Sequence, residues 1–249
     1  IRVMAGHSKF KNIMHRKGAQ DKKRAKTFSR LGKEIAVAVK TGGTDPESNI
    51  RLRSAINTAK TLNMPKDNIE RAIKKGEGND SDSNYEEVRY EGYGPGGVAI
   101  IINVITDNKN RTVAEVRHIL SKYGGNLGES GSVSWMFDTK GQIILESDSD
   151  DDIVLEDALD AGADDLEIDA SIYYIITKPN SLMDVRDILE DSGYIIRSAE
   201  IEMIPKTLQK LEGQDASSAI KLLDILEDND DINKLYSNLD VDVDSLVEV

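Results

Sequence analysis

The residues whose chemistry is most legible in this chain are its cations. From Gly6 the sequence runs Gly6-His7-Ser8-Lys9-Phe10-Lys11-Asn12-Ile13-Met14-His15-Arg16-Lys17, and it continues into Lys22-Lys23-Arg24-Ala25-Lys26. Lys and Arg neutralise phosphate charge and release condensed counterions, which is the sequence-independent part of nucleic-acid affinity. The candidate contacts are His7, Lys9, Lys11, His15, Arg16, Lys17, Lys22, Lys23, Lys26, Arg30 and Lys33. Phe10 is placed to anchor the segment or to stack on a base. Most charge runs are solvated helix faces. Here cations outnumber acids heavily and mix with Asn, Ser and His donors, so binding is the stronger reading. Charge alone does not separate DNA from RNA.

Other chemistries find less support. His7, His15 and His118 stand at no zinc spacing, the chain has no cysteine, and no metal or cofactor site is expected. Gly92-Tyr93-Gly94-Pro95-Gly96-Gly97 is dense enough in glycine to suggest a phosphate cradle. A phosphate loop must open a helix, however, and strands are expected on both sides, so a tight turn is the better reading. Gly124 to Gly131 follows a helix; Gly124 as its cap is the ordinary reading, with a partner-binding loop as the alternative. Thr106-Asp107-Asn108-Lys109-Asn110-Arg111-Thr112 joins a strand to a helix. Asp107, Asn108, Lys109 and Arg111 there form a candidate polar contact loop, against which helix capping is at least as strong a reading. Val133, Trp135 and Phe137 alternate as on one strand face and could stack bases as an RNA-recognition sheet does, but the aromatic signature of that module is absent and core packing is the expectation. Asp148 to Asp152 lacks the glycine and glutamate of a calcium loop, and helix N-terminal charge explains it. No Ser/His/Asp set or carboxylate pair stands out, so a non-enzymatic protein is expected.

The formal net charge of −13 conceals a split. Residues 1–75 carry 19 Lys+Arg against 6 Asp+Glu, a net of +13, while the remainder holds 13 against 39, a net of −26. Such asymmetry points to a nucleic acid or another anionic surface as the partner of the basic part. With 249 residues and 39% hydrophobic content, the chain is long enough for two or three domains. No run is apolar for the roughly 20 residues a membrane helix needs. Cysteine-free composition and the lack of a signal pattern suit a cytoplasmic protein, with Met4 reading as the initiator after Ile1-Arg2-Val3.

These residues need a scaffold, and its outline follows from periodicity. Residues 20–41 place Ala25, Phe28, Leu31, Gly32, Ile35 and Val39 on one helix face, with Lys22, Lys26, Arg30, Lys33 and Lys40 in a stripe elsewhere. Gly42-Gly43 ends that helix, and Thr44-Asp45-Pro46-Glu47 predicts the start of a second by capping box. Pro65 opens a third. Polar residues 77–84 mark a boundary, after which strands are expected at Val88–Tyr93 and Val98–Thr106, then a helix Asn110–Tyr123 and a strand Ser132–Phe137. Residues 141–204 read as a ferredoxin-like βαββαβ unit. The helix Ala216–Leu226 and a strand near Leu235–Val241 are expected to return to the sheet begun at Val88. The expected class is α+β: a basic N-terminal helical bundle (4–80), then two α/β domains, one discontinuous (84–140 plus 206–249) and one inserted in it (141–205).

Four motifs, in order, resemble the YebC/PmpR family. They are Met4-Ala5-Gly6-His7-Ser8-Lys9-Phe10 with Asn12-Ile13 and His15-Arg16-Lys17; Tyr90 to Gly97; Thr106 to Thr112; and Gly131-Ser132-Val133-Ser134-Trp135-Met136-Phe137. Family members commonly carry Trp where Phe10 stands, a change that keeps the aromatic ring. The resemblance implies three domains, an N-terminal helical one and two α/β domains, one inserted in the other. It implies cytoplasmic location in bacteria, with mitochondrial relatives. Members are described as DNA-binding transcriptional regulators, and others, including a mitochondrial translational activator, as translation factors at the ribosome. The N-terminal cations match the motif and carry over as expected contacts. The family supplies no catalytic residue.

Overall fold

The structure, a computed structural model, describes residues 20–78 and 85–241, with side chains from residue 25 onward. The chain adopts the α+β class that its patterns predict. Helix α1 spans Gln20–Gly42. It stops where Gly43 turns left-handed (φ +84°), a conformation that costs glycine little. The second helix, α2 (Ile50–Thr61), begins later than the Thr44 capping pattern predicts. Asp45 instead closes a turn of its own, its Oδ1 accepting from the Glu47 amide at 3.0 Å. The actual cap is Asn49, whose Oδ1 accepts from Leu52 N at 3.0 Å. The buried Asn49 amide also donates to Ala38 O and Gly43 O, both at 2.8 Å, so one side chain caps α2 and ties it to the end of α1. Helix α3 follows at Lys66–Glu77.

The chain divides into two compact units, and the boundary falls within α1 and within two strands. The first unit takes residues 20–37, 85–138 and 204–241. Its strands β1 (Glu86–Tyr93) and β2 (Ala99–Thr106) form an antiparallel hairpin around the Pro95–Gly97 turn. Helix α4 (Lys109–Lys122) leads to the short β3 (Asn126–Leu127). Strand β4 (Phe137–Glu146) leaves this unit and β7 (Ile195–Pro205) re-enters it. Next come β8 (Gln209–Leu211), α7 (Gly213–Glu227), β9 (Ile232–Ser237) and β10 (Leu239–Val241). The sheet order is β3-β1-β2-β9, with β9 antiparallel to β2. The run Ala99-Ile100-Ile101-Ile102 is fully buried because β2 is central and both its faces are covered. Ile100, Ile102 and Val104 pack with Val116 and Leu120 of α4 and with Ala219, Leu222 and Leu226 of α7.

The single C-terminal strand expected near Leu235–Val241 is two strands. Asn238 breaks it, its buried Oδ1 accepting from Ala99 N at 2.8 Å, and β10 then pairs in parallel with β8.

The second unit takes Ala38–Glu77 and Thr139–Met203. Between β4 and β7 lie α5 (Asp151–Asp160), β5 (Asp165–Asp169), β6 (Ile172–Thr177) and α6 (Leu182–Asp191). The order β5-β6-β4-β7 is the ferredoxin-like sheet that the βαββαβ pattern predicts. Its core joins Ile143, Leu145, Tyr173 and Ile175 to Val154, Ala158, Val185 and Leu189 of the two helices. Edge strand β7 does not present bare backbone along its length. Ser54 of α2 donates to the Ala199 carbonyl, and Thr58 donates to Glu200 Oε1 at 3.0 Å.

Candidate nucleic-acid interface

Three cations of the stripe, Lys26, Arg30 and Lys33, meet a partner within their own unit. Helix α7 ends at Glu227 and is followed by Asp228-Asn229-Asp230-Asp231. The last carbonyls of a helix lack intrahelical donors and carry the negative end of its dipole. Lys26 donates to the Asp228 carbonyl, and its Nζ lies 3.3 Å from Asp228 Oδ1 and 3.7 Å from Asp230 Oδ1. Arg30 donates to the Glu227 carbonyl and, at 3.1 Å, to that of Asn229. Burial lowers the Arg30 pKa, while Glu227, Asp230 and Asp228 oppose the shift. Lys33 reaches the Asp230 carbonyl at 2.9 Å and Asp231 Oδ1 at 3.1 Å. Three cations one helical turn apart thus cap α7 from outside. Of the other proposed contacts, Lys22 and Lys23 lie in α1 before the described side chains. His7, Lys9, Lys11, His15, Arg16 and Lys17 lie outside the described residues.

Asp231 draws the polar contact loop into the same cluster. Its Oδ2 accepts from Arg111 Nη2 at 2.7 Å, from Thr112 Oγ1 at 2.7 Å and from Thr106 Oγ1 at 3.1 Å, while Oδ1 takes Lys33. Burial alone pushes this carboxyl upward; the bonds from Arg111, Thr112 and Lys33 overcome it and hold the pKa down at about 2. Asn108 is the cap of α4, its Oδ1 accepting from Arg111 N at 3.0 Å. Asp107 Oδ1 takes a second bond from Arg111 at 2.9 Å, and Lys109 pairs with Glu86. The structure therefore brings Lys33 and Arg111 together on one carboxylate. The loop residues cap and brace, although Asp107, Asn108, Lys109 and Arg111 all remain exposed.

A second buried carboxylate joins two of the sequence motifs. Glu91 accepts from Gly131 N at 2.9 Å and from Val133 N and Ser134 N, each at 2.8 Å. Burial raises its pKa, and the backbone amides of Val133, Gly131 and Ser134 more than reverse that, leaving it lowered. Gly92 beside it admits no side chain, since a Cβ would lie 2.6 Å from the Asn126 carbonyl oxygen. The strand expected at Ser132–Phe137 is consequently not formed before Phe137; Ser134–Met136 is a 3-10 turn. Val133 and Phe137 are buried as expected, but Trp135 is 66% exposed. The indole Nε1 donates to Ser132 O at 3.0 Å. Tyr93 Oη donates to the same carbonyl at 3.0 Å.

Two family models match the chain: the TACO1/YebC protein N-terminal domain over residues 8–79, and the TACO1/YebC second and third domain over residues 85–239. The chain belongs to the TACO1/YebC family. It is 53% identical over 243 residues to a probable transcriptional regulatory protein of Geobacter sulfurreducens, covering 98% of each chain. A protein of the same description from Dictyoglomus turgidum is 54% identical over 240 residues, covering 96% of each. The crystal structure of a conserved hypothetical protein from Aquifex aeolicus superposes with a TM-score of 0.86 at 43% identity, covering 93% of this chain and 97% of that one.

Two carboxylate hubs of this TACO1/YebC chain, and the exposure of Trp135, escape sequence reasoning. Asp231 and Glu91 are single acids among 45, and nothing local marks either as a hub. Trp135 carries a signal in retrospect: the small polar Ser132 and Ser134 flank Val133 immediately before it, a poor strand interior. Helices α2 and α3 also present exposed Lys60, Lys66, Arg71 and Lys74, which belong to the same basic segment of the sequence. Among the described residues, no group of acids and histidines stands ready to hold a metal, and no helix is long and apolar enough to cross a membrane.

Proposed function

We propose that this chain is a nucleic-acid-binding regulator of gene expression, acting in the cytoplasm as a binding protein rather than an enzyme, and that DNA is its target in transcriptional control. The observation that carries the reading is the charge division, +13 over residues 1–75 against −26 beyond. The relatives in Geobacter and Dictyoglomus, described as probable transcriptional regulatory proteins, support the regulatory role. Phosphate contacts fall on His7, Lys9, Lys11, His15, Arg16, Lys17, Lys22 and Lys23. Lys26, Arg30 and Lys33 extend the same stripe, but they reach phosphate only by exchanging the carbonyls and carboxylates of the 227–231 turn for it. The acidic remainder repels the backbone and limits nonspecific wrapping.

A second reading, a translation factor that binds ribosomal RNA through the same basic surface, draws on the exposed indole of Trp135. Bases in duplex DNA are already stacked, whereas RNA loops offer unpaired ones. The two readings separate in cells: chromatin occupancy without ribosome co-sedimentation supports the first, and ribosome association without sequence-selective DNA binding replaces it with the second. Loss of all binding to both nucleic acids at low salt refutes either.

A further inference from the structure

The sequence holds a single tryptophan, and the first unit presents it to solvent on a braced turn. Exposing an indole forfeits the burial its large apolar surface would gain, and nothing about this turn is slack. Glu91 fixes the backbone on one side through three amides. On the other, Lys206 N donates to Met136 O at 2.9 Å. The buried Val133 and Phe137 anchor both ends, and the bond from Nε1 to Ser132 O sets the ring's orientation. The ring is thus held in place before any partner arrives, so little side-chain freedom remains to be lost on contact.

The surroundings select the partner. Every other large apolar side chain exposed among the described residues lies in the second unit, so Trp135 stands outside any apolar patch of its own unit. A protein hot spot sits at the centre of a ring of contacts that exclude water, and the described residues of the first unit offer no exposed large apolar neighbour to build one. A nucleobase needs one aromatic face and a cation for its phosphate. Lys206 supplies the cation: its Nζ lies 3.0 Å from the carbonyl oxygen of Trp135 itself and 3.4 Å from Asp138 Oδ1, with the side chain half exposed.

We infer that Trp135 is a stacking platform for an unpaired base of single-stranded nucleic acid, with Lys206 beside it for the adjoining phosphate. The inference rests on the nucleic-acid reading above but uses residues other than those of the basic N-terminal segment.

Because Trp135 is the only tryptophan, its emission reports on this site alone. The full chain is titrated with a short mixed-sequence single-stranded RNA, the same backbone made abasic, and a blunt duplex DNA. Stacking quenches the emission with the base-bearing strand and not with the abasic strand or the duplex. Trp135→Ala weakens RNA binding by roughly five- to a hundredfold, and Trp135→Phe retains most of the affinity. Circular dichroism verifies that Trp135→Ala is folded, as its exposure predicts. If Trp135→Ala binds RNA as the parent does and RNA leaves the parent's emission unchanged, the platform is wrong, while binding that still falls on neutralising Lys9, Lys11, Arg16 and Lys17 keeps the broader reading alive. A Trp135→Ala variant that loses only a protein partner likewise overturns the inference. If the parent binds no oligonucleotide at low salt, both fail together.

Discussion

Replacing Asp231 with Asn changes one atom and removes the anion that Lys33 and Arg111 share. In the parent the carboxylate accepts four bonds, from Arg111, Thr112, Thr106 and Lys33, with its side chain 10% exposed. The fall of its pKa from 3.8 to about 2 corresponds to a linkage contribution of about 2 kcal/mol to folding at neutral pH. Asn also turns one acceptor into a donor facing donors, so the expected total loss is about 2–4 kcal/mol. That displaces the urea midpoint by on the order of 1 M. A pH series makes the assay specific. The folded carboxyl titrates lower than the unfolded one, so its stabilisation is complete above the unfolded value of 3.8 and declines as pH falls toward 2. The gap between parent and Asp231→Asn therefore narrows below about pH 4. Equal midpoints at neutral pH, or a gap that stays constant into acid, refute the assignment of Asp231 as the hub.

Other outcomes follow from the same geometry. Glu91→Ala leaves three amides of the Gly131–Ser134 loop without their acceptor and lowers stability by about 2–4 kcal/mol, read as a lower thermal midpoint together with a change in Trp135 emission as the turn loosens. Asn49→Ala loses the α2 cap and both ties to α1, at a cost of about 1–3 kcal/mol; hydrogen exchange of the first α2 amides accelerates, and unchanged protection there would contradict the capping role. Gly92→Ala pushes a methyl against the Asn126 carbonyl and separates β3 from β1, seen as loss of amide protection at Leu127; a variant with parental protection would show that the strands yield freely.

The sequence exposes periodic features and hides those made by contacts across long separations. Helix α1 and the βαββαβ order are legible because Ile35 and Val39, or Ile143 and Leu145, repeat at the spacing of the element that buries them. The start of α2 is misread because Thr44-Asp45-Pro46-Glu47 has the composition of a cap, yet Asp45 spends its carboxylate on its own turn and leaves the task to Asn49. Trp135 is misread because Val133, Trp135 and Phe137 alternate like a strand; the carboxylate of Glu91, forty-odd residues earlier, withdraws the amides a strand would pair. The cation stripe is visible at helical spacing in Lys26, Arg30 and Lys33, but the turn that receives them arrives about two hundred residues later. Local pattern identifies which side chains share a face. It does not identify what that face meets.

Salt dependence measures most directly the proposed binding of phosphate backbones by the basic N-terminal segment. Affinities of the full chain for duplex DNA and for single-stranded RNA are compared with those of a variant in which Lys9, Lys11, Arg16, Lys17, Lys22 and Lys23 become Gln. The set leaves unchanged Lys26, Arg30 and Lys33, whose contacts hold α1 to the α7 turn. Affinity of the parent falls steeply as salt rises, and each lost phosphate contact reduces the slope of log affinity against log salt by about 1. A variant with the parent's affinity and the parent's slope would contradict the claim.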